Sequence, residues 1–134
     1  MSVVVPAEAL AGATGETVHV VTDGMTAIAA GSGDLPVLAT PTLVAFLEAA
    51  ACRALAHHLP GGVTSVGSRV DVRHLAPSPI GAEVSARARV TDVEGARITF
   101  DVEASHHVNG RTIEIARGTH VRVLVERGAF LNAL

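Results

Sequence analysis

The sequence predicts an α+β domain in which an antiparallel sheet of about five strands curls around one long central helix. An apolar run with helical spacing, "TPTLVAFLEAAACRAL", lies between two segments rich in glycine and proline. After it the apolar spacing changes from about 3.6 to 2, and four alternating runs follow with short turns between them. Short turns join antiparallel neighbours, and such sheets bury one face and expose the other.

Composition limits the classes of function. The 134 residues suffice for one domain with its own core, so we expect a single domain over residues 1–134. A net charge of −3 and an aromatic content of 2% disfavour nucleic-acid binding, which uses basic surfaces and stacking rings. We find no secretory signal and no run near the roughly 20 apolar residues of a membrane span. The lone Cys52 fits a reducing compartment, so we expect a cytoplasmic protein without a membrane partner.

The first half of the chain should supply one strand and the helix. β-branched residues predict a strand within 16–27, and a Gly/Pro loop follows at 29–36. Thr40 precedes a proline, a pairing typical of an N-cap and first turn, so we expect the helix from about 41 to 58. The "HLPGG" segment ends it, since proline and glycine do not continue a helix.

The second half should supply four strands. Turn signals lie at 76–81, at 93–95 and at Asn109-Gly110, and Asn-Gly is the strongest of the short hairpin signals. The alternation predicts which side chains face the helix. They are Val66, Val70, Val72 and His74; Val84, Ala86, Ala88 and Val90; Ile98, Phe100, Val102 and Ala104; and Ile113, Ile115, Val121, Val123 and Val125.

Glu48 is unusual because the four residues one turn away from it, Val44, Ala45, Ala51 and Cys52, are all apolar. A carboxylate among apolar groups needs a donor or a shifted pKa. We therefore look for a partner elsewhere in the chain, and we interpret Cys52 as a small core residue.

His74 is the first candidate partner, because it ends a strand on the face turned towards the helix; the alternative is a core histidine bonded to backbone. Thr40 either caps the helix or uses its N-terminus to stabilise developing negative charge. Thr40 and Glu48 are about 12 Å apart along a helix, so an imidazole bridges them or they serve different sites across a dimer. Gly67 indicates either a β-bulge or a backbone N–H that is free to donate to a ligand carbonyl.

Three segments together resemble the hotdog-fold thioesterases, and more narrowly the fluoroacetyl-CoA thioesterase group: "VLATPTLVAFLEAAACRAL", "SVGSRVDVRHLAPSPIG" and "GTHVR". That group has a Thr or Ser at the helix start and a Glu eight residues later, positions held here by Thr40 and Glu48. It has a Gly seven residues before a strand-end His, as in Gly67 and His74. "GTHVR" places Arg122 where the group has a substrate-contacting arginine.

The resemblance implies an acyl-CoA thioesterase with Thr40, Glu48 and His74 as catalytic residues, and with Gly67 and Arg122 binding the substrate. It implies a homodimer, because hotdog domains commonly join two sheets edge to edge. Whether Glu48 attacks the thioester or activates water stays open.

Other functions and ligands are less favoured. The sequence contains no metal or nucleotide motif, so we expect no metal and no cofactor. Fluoroacetate-selective members carry phenylalanines before the helix, whereas this chain has Leu35 and no aromatic there, so we expect modest fluoroacetyl preference. The alternative function is a non-catalytic hotdog module that binds acyl-CoA or a small acyl ligand. A hotdog hydratase would need an Asp and His spacing that is not evident.

Overall fold

The computed structural model describes residue 3 and residues 5–134, and the predicted architecture is confirmed. The elements are α1 (Ala7–Leu10), β1 (Thr14–Val20), a 3-10 turn (Asp23–Met25), α2 (Ala27–Ala30), α3 (Thr40–Leu55), β2 (Val63–His74), β3 (Glu83–Glu94), β4 (Arg97–Val108), β5 (Arg111–Glu126) and α4 (Arg127–Asn132). The five antiparallel strands form one sheet in the order β1-β3-β4-β5-β2 beside the one long helix, α3. No helix in this described part is long and apolar enough to cross a bilayer.

The first strand is shorter than the predicted range 16–27. After β1 the chain leaves the sheet and forms the 3-10 turn and then α2. The hydroxyl oxygen of Thr26 accepts a hydrogen bond from the Ala29 amide at 3.3 Å, which caps α2. Local turn and capping chemistry at Asp23, Gly24 and Thr26 therefore prevailed over the β-branched composition that suggested a longer strand.

β3 and β4 bear out the alternation, since every residue predicted to face the helix in them is buried. The hairpin between β4 and β5 is also confirmed. Its two turn residues, Asn109 and Gly110, have φ values of 53° and 73°. Positive φ at both positions is what a two-residue hairpin turn requires, and Asn and Gly adopt it at low cost.

A β-bulge in β2 corrects the predicted face of that strand. Gly67 pairs with Arg122 and Arg69 with the preceding residue of β5, which leaves Ser68 as the extra residue. Because side chains alternate, one extra residue exchanges the two faces. Val66 therefore lies on the opposite face from the three later residues that were predicted to accompany it.

A second bulge acts in the same way in β5. Ser105 pairs with Glu114 and Ala104 with Ala116, so Ile115 is the extra residue. The prediction that the later odd-numbered valines face the helix is wrong beyond this point. The helix-facing residues there are instead Ala116, Gly118, His120, Arg122 and Leu124.

The sheet covers α3 on one side only. The buried residues of the helix are Leu43, Phe46, Leu47, Ala50, Ala51, Ala54 and Leu55, whereas Ala45 and Cys52 are exposed. The expectation that Cys52 lies in the core is therefore wrong for a single chain. An apolar side chain does not indicate which surface will cover it.

β1 passes very close to α3 at Gly15. A Cβ atom at this position would collide with the Ala50 carbonyl oxygen and the Ala54 amide nitrogen. Both atoms belong to helix backbone, which cannot move aside as a flexible side chain could. Glycine at position 15 therefore permits the contact between the edge strand and the helix.

We expect Gly15→Ala to lower the free energy of unfolding by about 1–3 kcal/mol, the usual cost of overpacking. Urea denaturation of the purified variant measures this change. Gly24→Ala is the matched control, because a Cβ atom there meets no atom of the described residues within 4 Å. Equal stability of the two variants would contradict the close approach at Gly15.

Candidate active site

Thr40 and His74 form the first cluster, at the N-terminus of α3. Thr40 Oγ1 lies 2.8 Å from His74 Nδ1, and the two residues are joined by a hydrogen bond. Thr40 is the first residue of the helix, Ala39 occupies the N-cap position, and no side chain of the described residues caps this end. The expectation that Thr40 is the N-cap is therefore wrong, because its hydroxyl group is directed to the imidazole instead.

The surroundings of His74 favour a neutral imidazole. Burial lowers the pKa of His74 below its usual value, and contact with the Ala76 backbone opposes this only in part. Its Nε2 atom is buried and has no hydrogen-bond partner among the described residues. A neutral imidazole beside a hydroxyl group can accept and return a proton, which is the role of a general acid and base.

A cavity of about 370 Å³ adjoins this pair. Apart from Ser32, Thr40 and His74, its wall is apolar and contains no aromatic side chain; the other residues are Ala27, Val37, Leu38, Leu75, Ala76 and Pro77. Leu35 is 62% exposed and does not line it. The space beside the imidazole therefore suits a small or medium apolar group.

The loop that lines this cavity is bonded to the rest of the fold. Ser78 Oγ lies 2.6 Å from His106 Nδ1, and both residues are buried. The Ser78 carbonyl accepts a hydrogen bond from the Leu38 amide at 2.9 Å, and this bond fixes the residues just before α3. His107 faces the opposite side of β4 from His106 and is exposed. Among the described residues, no group of three or more His, Cys, Asp or Glu could hold a metal ion.

Glu48 and Arg122 form the core of the second cluster. Arg122 Nη1 donates to Glu48 Oε2 at 3.0 Å, so Glu48 has an arginine as its partner. The hypothesis that His74 pairs with Glu48 is wrong. The reason is register: β5 lies beside β2 so that Arg122 is opposite Gly67, which brings the guanidinium under the middle of α3.

The Arg122 guanidinium is almost completely enclosed, with 8% of its side chain exposed. Its Nε donates to Ser65 Oγ at 2.7 Å, and its Nη2 donates to the Ser65 carbonyl at 3.1 Å. A buried cation is costly without a counter-charge and hydrogen-bond acceptors, and Glu48 and Ser65 supply both. Arg122 therefore holds Glu48 directly.

His120 completes the second cluster and was not predicted from the sequence. Its Nδ1 lies 2.8 Å from the Arg69 carbonyl, its Nε2 lies 3.2 Å from Arg122 Nη1, and Nε2 lies 3.7 Å from Glu48 Oε2. Because a carbonyl only accepts, Nδ1 carries the proton and Nε2 accepts from Arg122. Burial and the charge of Arg122 lower the pKa of His120, while the Arg69 carbonyl and Glu48 oppose this, and the net lowering favours the neutral imidazole.

A signal for His120 was present in the sequence. Residues two apart on a strand share a face, so an inward Arg122 implies an inward His120. The uninterrupted alternation assumed for β5 assigned both to the outer face. The bulge at Ile115 invalidates that assignment.

Gly67 lies directly beside the Glu48 carboxylate. The expected bulge is confirmed, since the register shifts between Gly67 and Arg69. A Cβ atom at Gly67 would collide with Glu48 Oε2 and would lie 3.3 Å from Arg122 Nη1 and 3.4 Å from His120 Cε1. Glycine at position 67 therefore leaves the space that the carboxylate occupies.

The two clusters are far apart within one chain. Gly67 and His74 are separated by roughly 20 Å along β2, at about 3.3 Å per residue with one residue taken up by the bulge. Thr40 and Glu48 are about 12 Å apart along α3. Of the two alternatives considered, the imidazole bridge is not formed, because His74 bonds Thr40 whereas Glu48 bonds Arg122. A single chain therefore holds two separate clusters.

The sheet wrapped on one long helix and the hydroxyl, imidazole and carboxylate groups beside that helix define the class of hotdog-fold thioesterases. A hot-dog-like protein from Thermanaerovibrio acidaminovorans matches with a TM-score of 0.79 at 26% identity, over 96% of this chain and 90% of that chain. A thioesterase superfamily member from Thermus thermophilus matches with a TM-score of 0.83 at 28% identity, over 92% and 88%.

Residues 21–128 match the family described as fluoroacetyl-CoA-specific thioesterase, and the chain belongs to this family. A fluoroacetyl-CoA thioesterase from Streptantibioticus cattleyicolor is 36% identical over 94 residues, which are 70% of this chain and 65% of that protein. The match thus spans just under two thirds of the relative's length. A fluoroacetyl-CoA thioesterase variant in complex with acetyl-CoA gives a TM-score of 0.83 at 29% identity, over 92% of this chain and 94% of that chain. The resemblance inferred from the sequence is confirmed.

We expect Gly67→Ala to fold but to displace the Glu48 carboxylate, the end of a flexible side chain, with some loss of stability because its pair with Arg122 is disturbed. The displacement should lower acyl-CoA turnover by about 10- to 100-fold, because small errors in the position of a reacting group are costly. Melting temperature and steady-state kinetics, measured on the same sample, test both parts. Unchanged turnover would show that the position of this carboxylate is irrelevant to activity.

Proposed function

We propose that this protein is a cytoplasmic acyl-CoA thioesterase in which the two clusters are half-sites, joined across a homodimer to form one active site. The observation that carries the proposal is the pairing pattern: Thr40 bonds His74 at one end of α3, and Arg122 holds Glu48 at its middle. The similarity to a structure in complex with acetyl-CoA supports a CoA thioester as substrate. The free thiol of Cys52 supports a reducing compartment.

The chemistry requires a polarised carbonyl, an oxygen nucleophile and an acid for the leaving thiolate. A water oxygen ends bonded to the carbonyl carbon, the C–S bond breaks, and the CoA thiolate takes up a proton. Glu48 Oε2 is bonded to Arg122, whereas Oε1 accepts no hydrogen bond from the described residues. Activation of water and direct attack by the carboxylate both use this free oxygen.

Thr40 and His74 then act as the proton-transfer pair. The hydroxyl and the neutral imidazole exchange a proton along their 2.8 Å hydrogen bond, and deliver it to the departing sulfur. The Gly67 amide is the proposed donor to the thioester carbonyl oxygen. Arg122, already bonded to Glu48 and Ser65, keeps one remaining Nη2–H for substrate.

β2 is the edge at which two copies would join. It is a terminal strand of the sheet, and Val70 on its helix-facing side is 41% exposed. An exposed strand edge favours pairing with another strand. Antiparallel pairing about Val70 would also place Arg69 opposite the partner's Asp71, which are opposite charges on the outer face. The exposed side of α3 would be covered in the same assembly.

This pairing would unite the half-sites. His74 lies four residues after Val70, and Gly67 lies three residues before it. In an antiparallel pair about Val70, the partner's His74 therefore falls at the same end as Gly67. Each site would take Thr40 and His74 from one protomer and Glu48 from the other.

Purified heterodimers test this arrangement. Glu48→Gln and His74→Ala homodimers should each lose at least about 100-fold in kcat, the contribution of a general base or acid. A heterodimer of the two variants, isolated through two different tags, has one intact site out of two if sites are shared. It should recover about half of wild-type activity, since a two-fold dimer has two equivalent sites.

Cys52→Ala is the control and should leave activity unchanged, because the exposed thiol lies outside both clusters. Sites built from one chain predict no recovery in the heterodimer, and a monomer in light scattering would exclude the shared site. Tight binding of acetyl-CoA without turnover by the wild-type protein would identify the non-catalytic binding module instead.

The cavity beside His74 predicts weak discrimination between small acyl groups. Its wall has no aromatic side chain, and Leu35 is directed to solvent. We expect kcat/KM for fluoroacetyl-CoA to exceed that for acetyl-CoA by less than about 100-fold, the range that small apolar contacts provide. An acyl-CoA panel with detection of the released thiol measures the ratio, and a preference of several orders of magnitude would refute the expectation.

A further inference from the structure

We infer that His120 is a positioning residue that fixes the Glu48 carboxylate through Arg122. The kinetic part of this inference rests on the proposed thioesterase function, whereas its structural part does not. His120 is 1% exposed and therefore acts through its neighbours.

The donors of Arg122 show why an acceptor is needed at His120. Nε and Nη2 each give a hydrogen bond to Ser65, at 2.7 and 3.1 Å. Nη1 carries two N–H groups, of which one reaches Glu48 Oε2 at 3.0 Å and the other reaches His120 Nε2 at 3.2 Å. Without the imidazole, one N–H of the nearly enclosed guanidinium would lose its acceptor, and the guanidinium would turn until this N–H reached another acceptor. This turn would move the Glu48 carboxylate, which is bonded to the same Nη1.

His120 is itself fixed by the bulge in β2. The Arg69 carbonyl accepts from Nδ1 at 2.8 Å, so the proton is held on Nδ1 and Nε2 presents its lone pair to Arg122. The Phe100 ring lies 6.0 Å away between ring centres, on the β4 side. The pairing register of β2 with β5 shifts at this bulge, directly after Gly67. One local irregularity therefore orients the imidazole, and through it the guanidinium and the carboxylate.

The tautomer of His120 tests the structural part directly. ¹⁵N NMR of the imidazole in the wild-type protein at neutral pH should show a protonated Nδ1 and an unprotonated Nε2. Either the opposite tautomer or an imidazolium would overturn the inference, because both would direct an N–H at the guanidinium. The result does not depend on catalysis, so it remains decisive if the protein hydrolyses no acyl-CoA.

Two substitutions test the kinetic part. His120→Gln keeps an acceptor near the position of Nε2, whereas His120→Leu removes it. For His120→Leu we expect kcat to fall at least about 10-fold with KM within about twofold, the pattern of a lost transition-state interaction. His120→Gln should retain kcat within about threefold, and exposed His107→Leu should match the wild type.

The NMR signal of the Arg122 Nη1–H that reaches His120 Nε2 reports on this contact directly, and the free energy of unfolding of each variant separates its loss from general destabilisation. This Nη1–H should exchange slowly in the wild type and in His120→Gln, and exchange rapidly in a folded His120→Leu variant. Wild-type kcat in His120→Leu, or equal losses in the Leu and Gln variants, would overturn the positioning role. If His120→Leu does not fold, the Gln variant and the tautomer decide the question.

Discussion

The ion pair between Glu48 and Arg122 is the interaction on which the rest of the site depends. It explains how an apolar helix accommodates a carboxylate, since the guanidinium reaches it from β5 at 3.0 Å. The cation in turn is nearly enclosed and needs every acceptor around it, which accounts for Ser65 and His120. The other carboxylate oxygen accepts no hydrogen bond from the described residues, so the contact that stabilises Glu48 also orients this free oxygen.

The bulge at Ser68 is what allows this contact to form. It changes the face of β2 between Gly67 and Arg69, and it frees the Arg69 carbonyl to accept from His120. A regular strand would leave either Gly67 or the later inward residues on the outer face. The two clusters are far apart because β2 is extended. Gly67 and His74 are about seven residues apart on this strand, so they cannot both reach a single thioester carbonyl.

Much of the fold could be predicted from the sequence, because periodicity, turn residues and apolar length are local signals. The faces of β3 and β4 and the Asn109-Gly110 turn followed from them. The bulges at Ser68 and Ile115 could not be predicted, because an extra residue leaves the composition unchanged while it reverses the alternation. The partner of Glu48 depends on the pairing of β2 with β5, which is a long-range property. Exposure of Cys52 depends on which surfaces meet, and one chain's sequence does not specify that.

The bonded loop beside the cavity has a consequence for how selectivity can change. The Ser78 carbonyl holds Leu38, and His106 in the sheet holds the Ser78 hydroxyl, so this wall is anchored to the fold's rigid part. Its width is then a property of the scaffold, and side chains such as Val37 and Leu75 set the remaining space. Acyl preference in this lineage could therefore drift by single exchanges of side-chain volume, with no rebuilding of the backbone.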